Sequence, residues 1–287
     1  MSDIKLEFPR INYQQHFNSF NEHVPVASLN YSANLYNSSN NQIVSFVSLV
    51  HGTGSGTLAF NVAWYLSNFK KVLYLSTKKL SQNALAYNLP TANIKISDLN
   101  SNLIIGKSDL LAQEKSFMSV NYQQFPSNLF FLILNQQDIT TAENYYRHLD
   151  FWQDFLNNAR AQYDYIIIDN ENADTIENRI ILNLSQSIVN TVTQNYVSLL
   201  ANNKYFEKHK YKAKIITVLN KFNKSDIISE LSNVYKANEY LSNDLNLIIN
   251  NIPKTNNAIF NGLPYYKYGQ DNYFNNKIKS LANSILD

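Results

Sequence analysis

The residues of this chain that could do chemistry together are concentrated in HGTGSGT, His51 to Thr57. Gly52, Gly54 and Gly56 alternate there. Glycines open backbone conformations closed to other residues, so successive N–H groups can turn inward around an anion. Ahead of the loop, Ile43 to Val50 (IVSFVSLV) is a largely apolar run that reads as a buried strand. Behind it, Thr57 to Leu66 places Leu58, Val62 and Leu66 on one helical face. Strand, glycine loop and helix form the layout of a phosphate-binding loop, where the helix N-terminus adds a favourable field. The usual pattern ends in Gly-Lys-Ser/Thr. Its lysine carries the charge that meets the β- and γ-phosphates, and its hydroxyl holds Mg²⁺. Here Ser55 stands at the lysine position and Gly56 at the hydroxyl position. The loop has the shape of a phosphate cradle and lacks its principal cation.

Other polar residues fall at the ends of apolar runs. Asp169 closes YDYIIID. A carboxylate there either holds Mg²⁺ through water or caps the next turn. Asn220 closes KIITVLN, in a chain where asparagine is abundant. Lys78 and Lys79 follow KVLYLS. They either reach the phosphates or sit on a solvated strand–helix loop, and the solvated reading is the simpler. His51 either donates to a phosphate or faces water. Lys204, Lys208, Lys210, Lys212 and Lys214 interleave with Tyr205, Phe206 and Tyr211. They read as a DNA or acidic-lipid contact, or as the solvated end of a helix, where lysines are favourable. The five histidines form no metal-ligand spacing, and no hydrolase or metalloprotease motif is present.

These residues need elements to hold them. Apolar runs at 43–50, 71–76, 128–134, 163–169, 187–192, 214–219 and 245–249 read as strands. Helices are predicted over 57–66, through Ala86, over most of 92–119, and over 141–161, 176–184, 196–209, 225–241 and 274–286. The predicted fold class is therefore α/β: a mostly parallel twisted sheet with helices on both faces. Ligands of such sheets sit beyond the carboxyl ends of the strands. The loop at 51–56, Ser76 to Lys78, Asp169, Asn220 and Pro253 all lie at such ends.

VSLVHGTGSGTLAFNVAWYL resembles the deviant phosphate loop of the ParA/MinD family of P-loop ATPases. That pattern runs Ser-x-Lys-Gly-Gly-x-Gly-Lys-Thr-Thr-x-Ala-x-Asn. Ser48, Gly52, Gly54, Thr57, Ala59 and Asn61 fall on matching positions. Val50 replaces the signature lysine, His51 a glycine, Ser55 the phosphate lysine and Gly56 the magnesium hydroxyl. KVLYLS resembles the second family strand, with Ser76 and Lys78 flanking the place of its first-switch aspartate. YDYIIID resembles the strand bearing the second-switch aspartate, here Asp169. TVLNKFNKSD resembles the segment whose asparagine, here Asn220, reads adenine, and IPKTNNAIFNGLPYYKY resembles the terminal segment. The likeness spans about Ile43 to Asp287 and is strongest to the TadZ-type branch, which helps place pilus or secretion machinery at a cell pole.

The resemblance implies a cofactor-binding set of Gly52, Thr53, Gly54, Ser55, Gly56, Thr57 and Asn220, and Asp169 as the metal residue. It implies ATP or ADP with Mg²⁺ as cofactor, a homodimer, and protein partners from a pilus, secretion or conjugation system. The departures oppose hydrolysis, because phosphoryl transfer rests almost entirely on positioning and charge. Two readings stand. One is a degenerate ATPase-fold localisation or assembly factor in which nucleotide binding is weak or lost. The other is a divergent partition-type ATPase that binds ATP and engages DNA or membrane.

Length and composition bound these readings. The 287 residues fit one large α/β domain, over residues 42–287, preceded by an N-terminal arm or linker over 1–41. Without cysteine there is no disulfide or thiolate chemistry. A net charge of +2 does not by itself argue for nucleic acid. No basic-then-apolar leader opens the chain, and no apolar run approaches the ~18 residues of a membrane span. A cytoplasmic protein is expected, with the cytoplasmic membrane face or a pole as its place of action.

Overall fold

The computed structural model describes residues 42–78, 81–91, 103–112, 122–134, 145–170, 174–223, 241, 243–252 and 272–286. The N-terminal arm, residues 225–240 of the helix predicted over 225–241 and the segment from Pro253 to Asp271 lie outside these residues. The described elements run β1 (Gln42–Val47), α1 (Ser55–Leu66), β2 (Val72–Ser76), α2 (Gln82–Ala86), α3 (Lys107–Ala112), β3 (Leu129–Ile133), α4 (Tyr145–Arg160), β4 (Tyr165–Asp169), α5 (Ile176–Leu184), β5 (Ser187–Val192), α6 (Tyr196–Lys208), β6 (Lys214–Phe222), β7 (Leu245–Asn250) and α7 (Asn272–Leu286).

The strands form one seven-stranded sheet in the order β3-β2-β4-β1-β5-β6-β7. Every pairing is parallel. Parallel strands need long crossovers, which carry helices onto both faces, so the strands are buried on both sides. Val44, Phe46, Val72, Tyr74 and Ile167 point to the face covered by α1 and α7. Ile43, Leu73, Leu75, Ile166 and Ile168 point to the face covered by α4 and α5. That alternation is the two-residue period of a strand, here apolar at both phases.

Pairing register sets the site. Asp169 of β4 lies opposite Phe46 of β1 and opposite Ser76 of β2. β4 is thus wedged between the strand leading into the glycine loop and the strand leading to Lys78. Tyr74 and Ile167 face α1, so two residues further on Ser76 and Asp169 face the same side, at the carboxyl edge.

Most element boundaries lie close to those predicted from sequence. Helix α1 starts earlier, at Ser55, because Gly54 at φ 91° forms its N-cap. The largely helical reading of 92–119 is corrected in its described part. Only Lys107–Ala112 is α-helix, and Ile105 makes an antiparallel bridge to Phe131. Leu103, Ile104 and Leu111 pack as partly buried apolar residues, the service that resembles a helical face in sequence. Strand β6 runs past its predicted end to Phe222, with a register irregularity between Leu219 and Phe222 and Lys221 at φ 55°.

Candidate phosphate-loop site

The loop leaves β1 through Ser48, whose hydroxyl donates to the Val50 carbonyl at 2.8 Å. Gly52 (φ 80°) and Gly54 (φ 91°) both take the left-handed conformation that disfavours a side chain. Gly54 has a second constraint. A Cβ there would lie 2.5 Å from Asn220 Nδ2. That nitrogen donates to the Thr53 carbonyl at 2.8 Å, and Lys221 Nζ donates to the Gly52 carbonyl at 2.6 Å. The end of β6 therefore clamps the loop by its carbonyls. Asn220 is buried and serves this clamp.

Helix α1 begins with no side chain capping its first turn and no acidic residue in it. The first-turn N–H groups of a helix have no intrahelical acceptor, and the macrodipole places positive potential there. The backbone of this loop fits an anion.

The side chains around it are arranged in a charged network. Lys78 Nζ lies 2.7 Å from Asp169 Oδ1 and donates to Ser55 Oγ at 3.3 Å. Tyr74 OH donates to Asp169 Oδ2 at 3.1 Å. Asn83 Nδ2 donates to Tyr74 OH at 2.8 Å and to the Gly56 carbonyl at 2.9 Å. Burial, and then the charge of Asp169, push the Tyr74 hydroxyl well above its ordinary range, so it stays protonated and a donor. The side chains of Lys78 and Asp169 are 14% and 2% exposed, so this ion pair is almost wholly removed from water. The solvated-loop reading of Lys78 is thereby corrected.

Gly56 is where the pair comes down on the helix. A Cβ at Gly56 would lie 2.7 Å from Asp169 Oδ2 and 3.2 Å from Lys78 Nζ. A side chain at the hydroxyl position would have to displace the Lys78–Asp169 pair. These residues do not fit a magnesium ion. The hydroxyl ligand is missing, both oxygens of Asp169 are engaged, and an ammonium stands against the carboxylate. Among the described residues no group of three or more His, Asp or Glu side chains could hold a metal.

The structure thus brings Gly52, Thr53, Gly54, Ser55, Gly56, Thr57, Asn220 and Asp169 to one edge of the sheet. Thr57 lies in the first turn, where its carbonyl accepts from Asn61 Nδ2 at 2.7 Å. His51 is exposed beside the loop. Tyr74, Asn83 and Lys221 were not anticipated. Tyr74 reads as one more core residue of KVLYLS, and only the alternation of β2 directs it toward α1. Lys221 reaches the loop through a positive φ that a lysine rarely adopts. In the basic stretch all five lysines are exposed while Tyr205 and Phe206 are core residues: Lys204 and Lys208 lie on the last turns of α6, Lys210 and Lys212 in the connection after it, and Lys214 opens β6.

No family model and no curated protein sequence matches the chain. Solved structures do. The septum site-determining protein MinD of Pyrococcus horikoshii, complexed with Mg-ADP, is similar with a TM-score of 0.60 and 19% identity, over 85% of this chain and 96% of that one. The MinC:MinD cell division complex of Aquifex aeolicus gives 0.61 and 16%, over 85% and 95%. A putative plasmid partition protein of Borrelia burgdorferi bound to AMPPNP gives 0.57 and 17%, over 85% and 97%. At such identities the likeness is one of architecture, and with the sheet order and the loop geometry it establishes that this chain has the ParA/MinD-type P-loop fold.

Proposed function

We propose that this protein is a ParA/MinD-fold localisation or assembly factor that works by binding and does not turn over ATP. One observation carries the reading: the buried Lys78–Asp169 pair closes over Gly56, at the position where the family places its magnesium hydroxyl. Phosphoryl transfer needs a metal or equivalent clamp on the phosphates and a positioned nucleophile. The loop lysine is Ser55, the hydroxyl residue is Gly56, and the place of the first-switch aspartate, between Ser76 and Lys78, holds Thr77. The backbone cradle remains, so nucleotide affinity is weak or lost while the architecture that presents a partner surface is kept. The sequence likeness to the TadZ-type branch supports partners from a pilus, secretion or conjugation system. The fold-level likeness to a MinD protein solved with MinC supports a protein partner in general. Among the described residues no helix is long and apolar enough to cross a membrane. We place the protein in the cytoplasm, at the membrane face or a pole, as a homodimer that does not need hydrolysis to form.

The test is calorimetric titration with ATP and Mg²⁺, run beside a steady-state phosphate-release assay. Weak or absent binding with no sustained release is expected; sustained release sinks the reading. A second reading, a partition-type ATPase that binds ATP and engages DNA or membrane, draws on the exposed Lys204, Lys208, Lys210, Lys212 and Lys214. Sustained release in that same assay is its signature.

A further inference from the structure

The mismatch between the side chains and a magnesium ion points to a different cation. We propose that Lys78 is the resident cation of this site: its ammonium holds the phosphates of a nucleoside triphosphate directly, without a divalent metal, and Asp169 is its competing counter-ion. The inference rests on the reading of the loop as a phosphate cradle.

Four observations support it. First, the ammonium is placed where a phosphate at the helix N-terminus would need it. Lys78 Nζ is 3.3 Å from Ser55 Oγ and 3.2 Å from an ideal Cβ on Gly56. It enters from the end of β2 and reaches the first turn that the loop lysine would have served. Second, it is desolvated, which strengthens its pull on an anion, because charges attract more strongly when water is excluded. Third, buried polar groups beside it lack partners. Ser76 Oγ is fully buried, has no hydrogen bond, and points to the α1 side next to Asp169. Thr53 Oγ1, in the loop itself, is also buried and unpaired. Native proteins rarely strand such groups, and ligand sites are among the places where they do. Fourth, the carboxylate that would attract magnesium is held by Tyr74 on one oxygen and by Lys78 on the other.

The charges make the proposal distinctive. In a magnesium site the second-switch carboxylate helps hold the metal, so its removal weakens nucleotide binding. Here Asp169 and the phosphates compete for one ammonium. Neutralising Asp169 frees Lys78 and removes a negative charge facing the anion, so binding should tighten.

The experiment titrates ATP into the full chain, once in EDTA and once in excess Mg²⁺. It uses the wild type, Asp169→Asn, Lys78→Met and the double variant Lys78→Met with Asp169→Asn. The wild type should bind within about twofold in the two buffers, since charge-assisted hydrogen bonds need no metal. Asp169→Asn should bind several-fold tighter. Loss of the ammonium should weaken binding by roughly tenfold or more, the scale of a charge-assisted hydrogen bond. Lys78→Met alone leaves a buried unpaired carboxylate and can fail to fold. The double variant removes both charges at similar volume, keeps the packing, and should bind roughly tenfold or more weaker than Asp169→Asn, from which it differs only by the ammonium. Thermal melts of each variant separate misfolding from lost binding. Binding that needs Mg²⁺, or that weakens in Asp169→Asn, overturns the proposal and leaves the cradle intact. Absence of binding in every protein and buffer overturns both the proposal and the cradle. Phosphate release, measured apart, is what decides the non-hydrolytic reading.

Discussion

Gly54 shows how one residue serves both backbone and neighbour. Its φ of 91° is open to glycine and costly for a side chain, and Asn220 Nδ2 occupies the place of its missing Cβ at 2.5 Å. Gly54→Ala therefore meets two penalties: strain of about 1–2 kcal/mol from the left-handed backbone, and displacement of the amide that clamps Thr53. A fall in stability of roughly 1–3 kcal/mol is expected in urea unfolding. The same alanine at Gly52, which has open space around its Cβ, should cost only the strain. Equal losses at the two positions would show that the Asn220 clamp contributes nothing. Gly56 belongs to the same scale. Restoring the consensus with Ser55→Lys and Gly56→Thr collides with the Lys78–Asp169 pair, so any gain in ATP affinity requires Lys78 to be shortened as well.

At the scale of elements, the site depends on an aromatic cluster beneath it. Phe60 of α1 stacks on Tyr87 with centroids 4.3 Å apart and planes at 8°, and meets Tyr74 edge-on at 5.3 Å. Trp64, one turn on, packs against Phe125 at 4.8 Å. These contacts seat α1 on β2 and on the segment after α2, and they hold Tyr74 where its hydroxyl meets Asp169. Phe60→Ala should lower stability by about 3–5 kcal/mol, since a large buried ring leaves a cavity. It should also loosen the hold of Tyr74 on Asp169, and the environment of the neighbouring Trp64, so that tryptophan fluorescence shifts together with the melting transition. A variant that melts like the wild type would mean that α7, packed on the same side through Ile278, Leu281 and Ile285, seats α1 unaided.

At the scale of the whole molecule, the proposed dimer should be independent of nucleotide, because in the proposed binding role no hydrolysis cycle drives its formation. Light scattering after size exclusion should give the same mass with ATP and Mg²⁺, with EDTA, and with no addition. A mass that doubles only with ATP and Mg²⁺ would restore the switching reading. Much of this molecule is legible in the chain itself. Apolar runs at both strand phases dictate strands buried on two faces, and helical spacing between them dictates crossovers, so a parallel α/β sheet follows from local chemistry. Glycines in a strand–helix junction mark the loop for the same reason, because the need for a positive φ is written in the residue type. Lys78 is different. Its sequence position suits a solvated loop equally well, and only the insertion of β4 between β1 and β2 sets Asp169 against Ser76 in register. That long-range pairing brings a lysine, a carboxylate and the first turn of α1 within hydrogen-bonding distance. Lys221 and Asn220 reach the loop by the same kind of event, a β6 irregularity more than 160 residues away along the chain. The amino-acid sequence by itself determined the layers and the anion-shaped loop, since these rest on periodicity and backbone freedom. Only the tertiary structure decided which cation faces that loop, because charge in a site depends on distance and burial, and neither is a property of neighbouring residues in the chain.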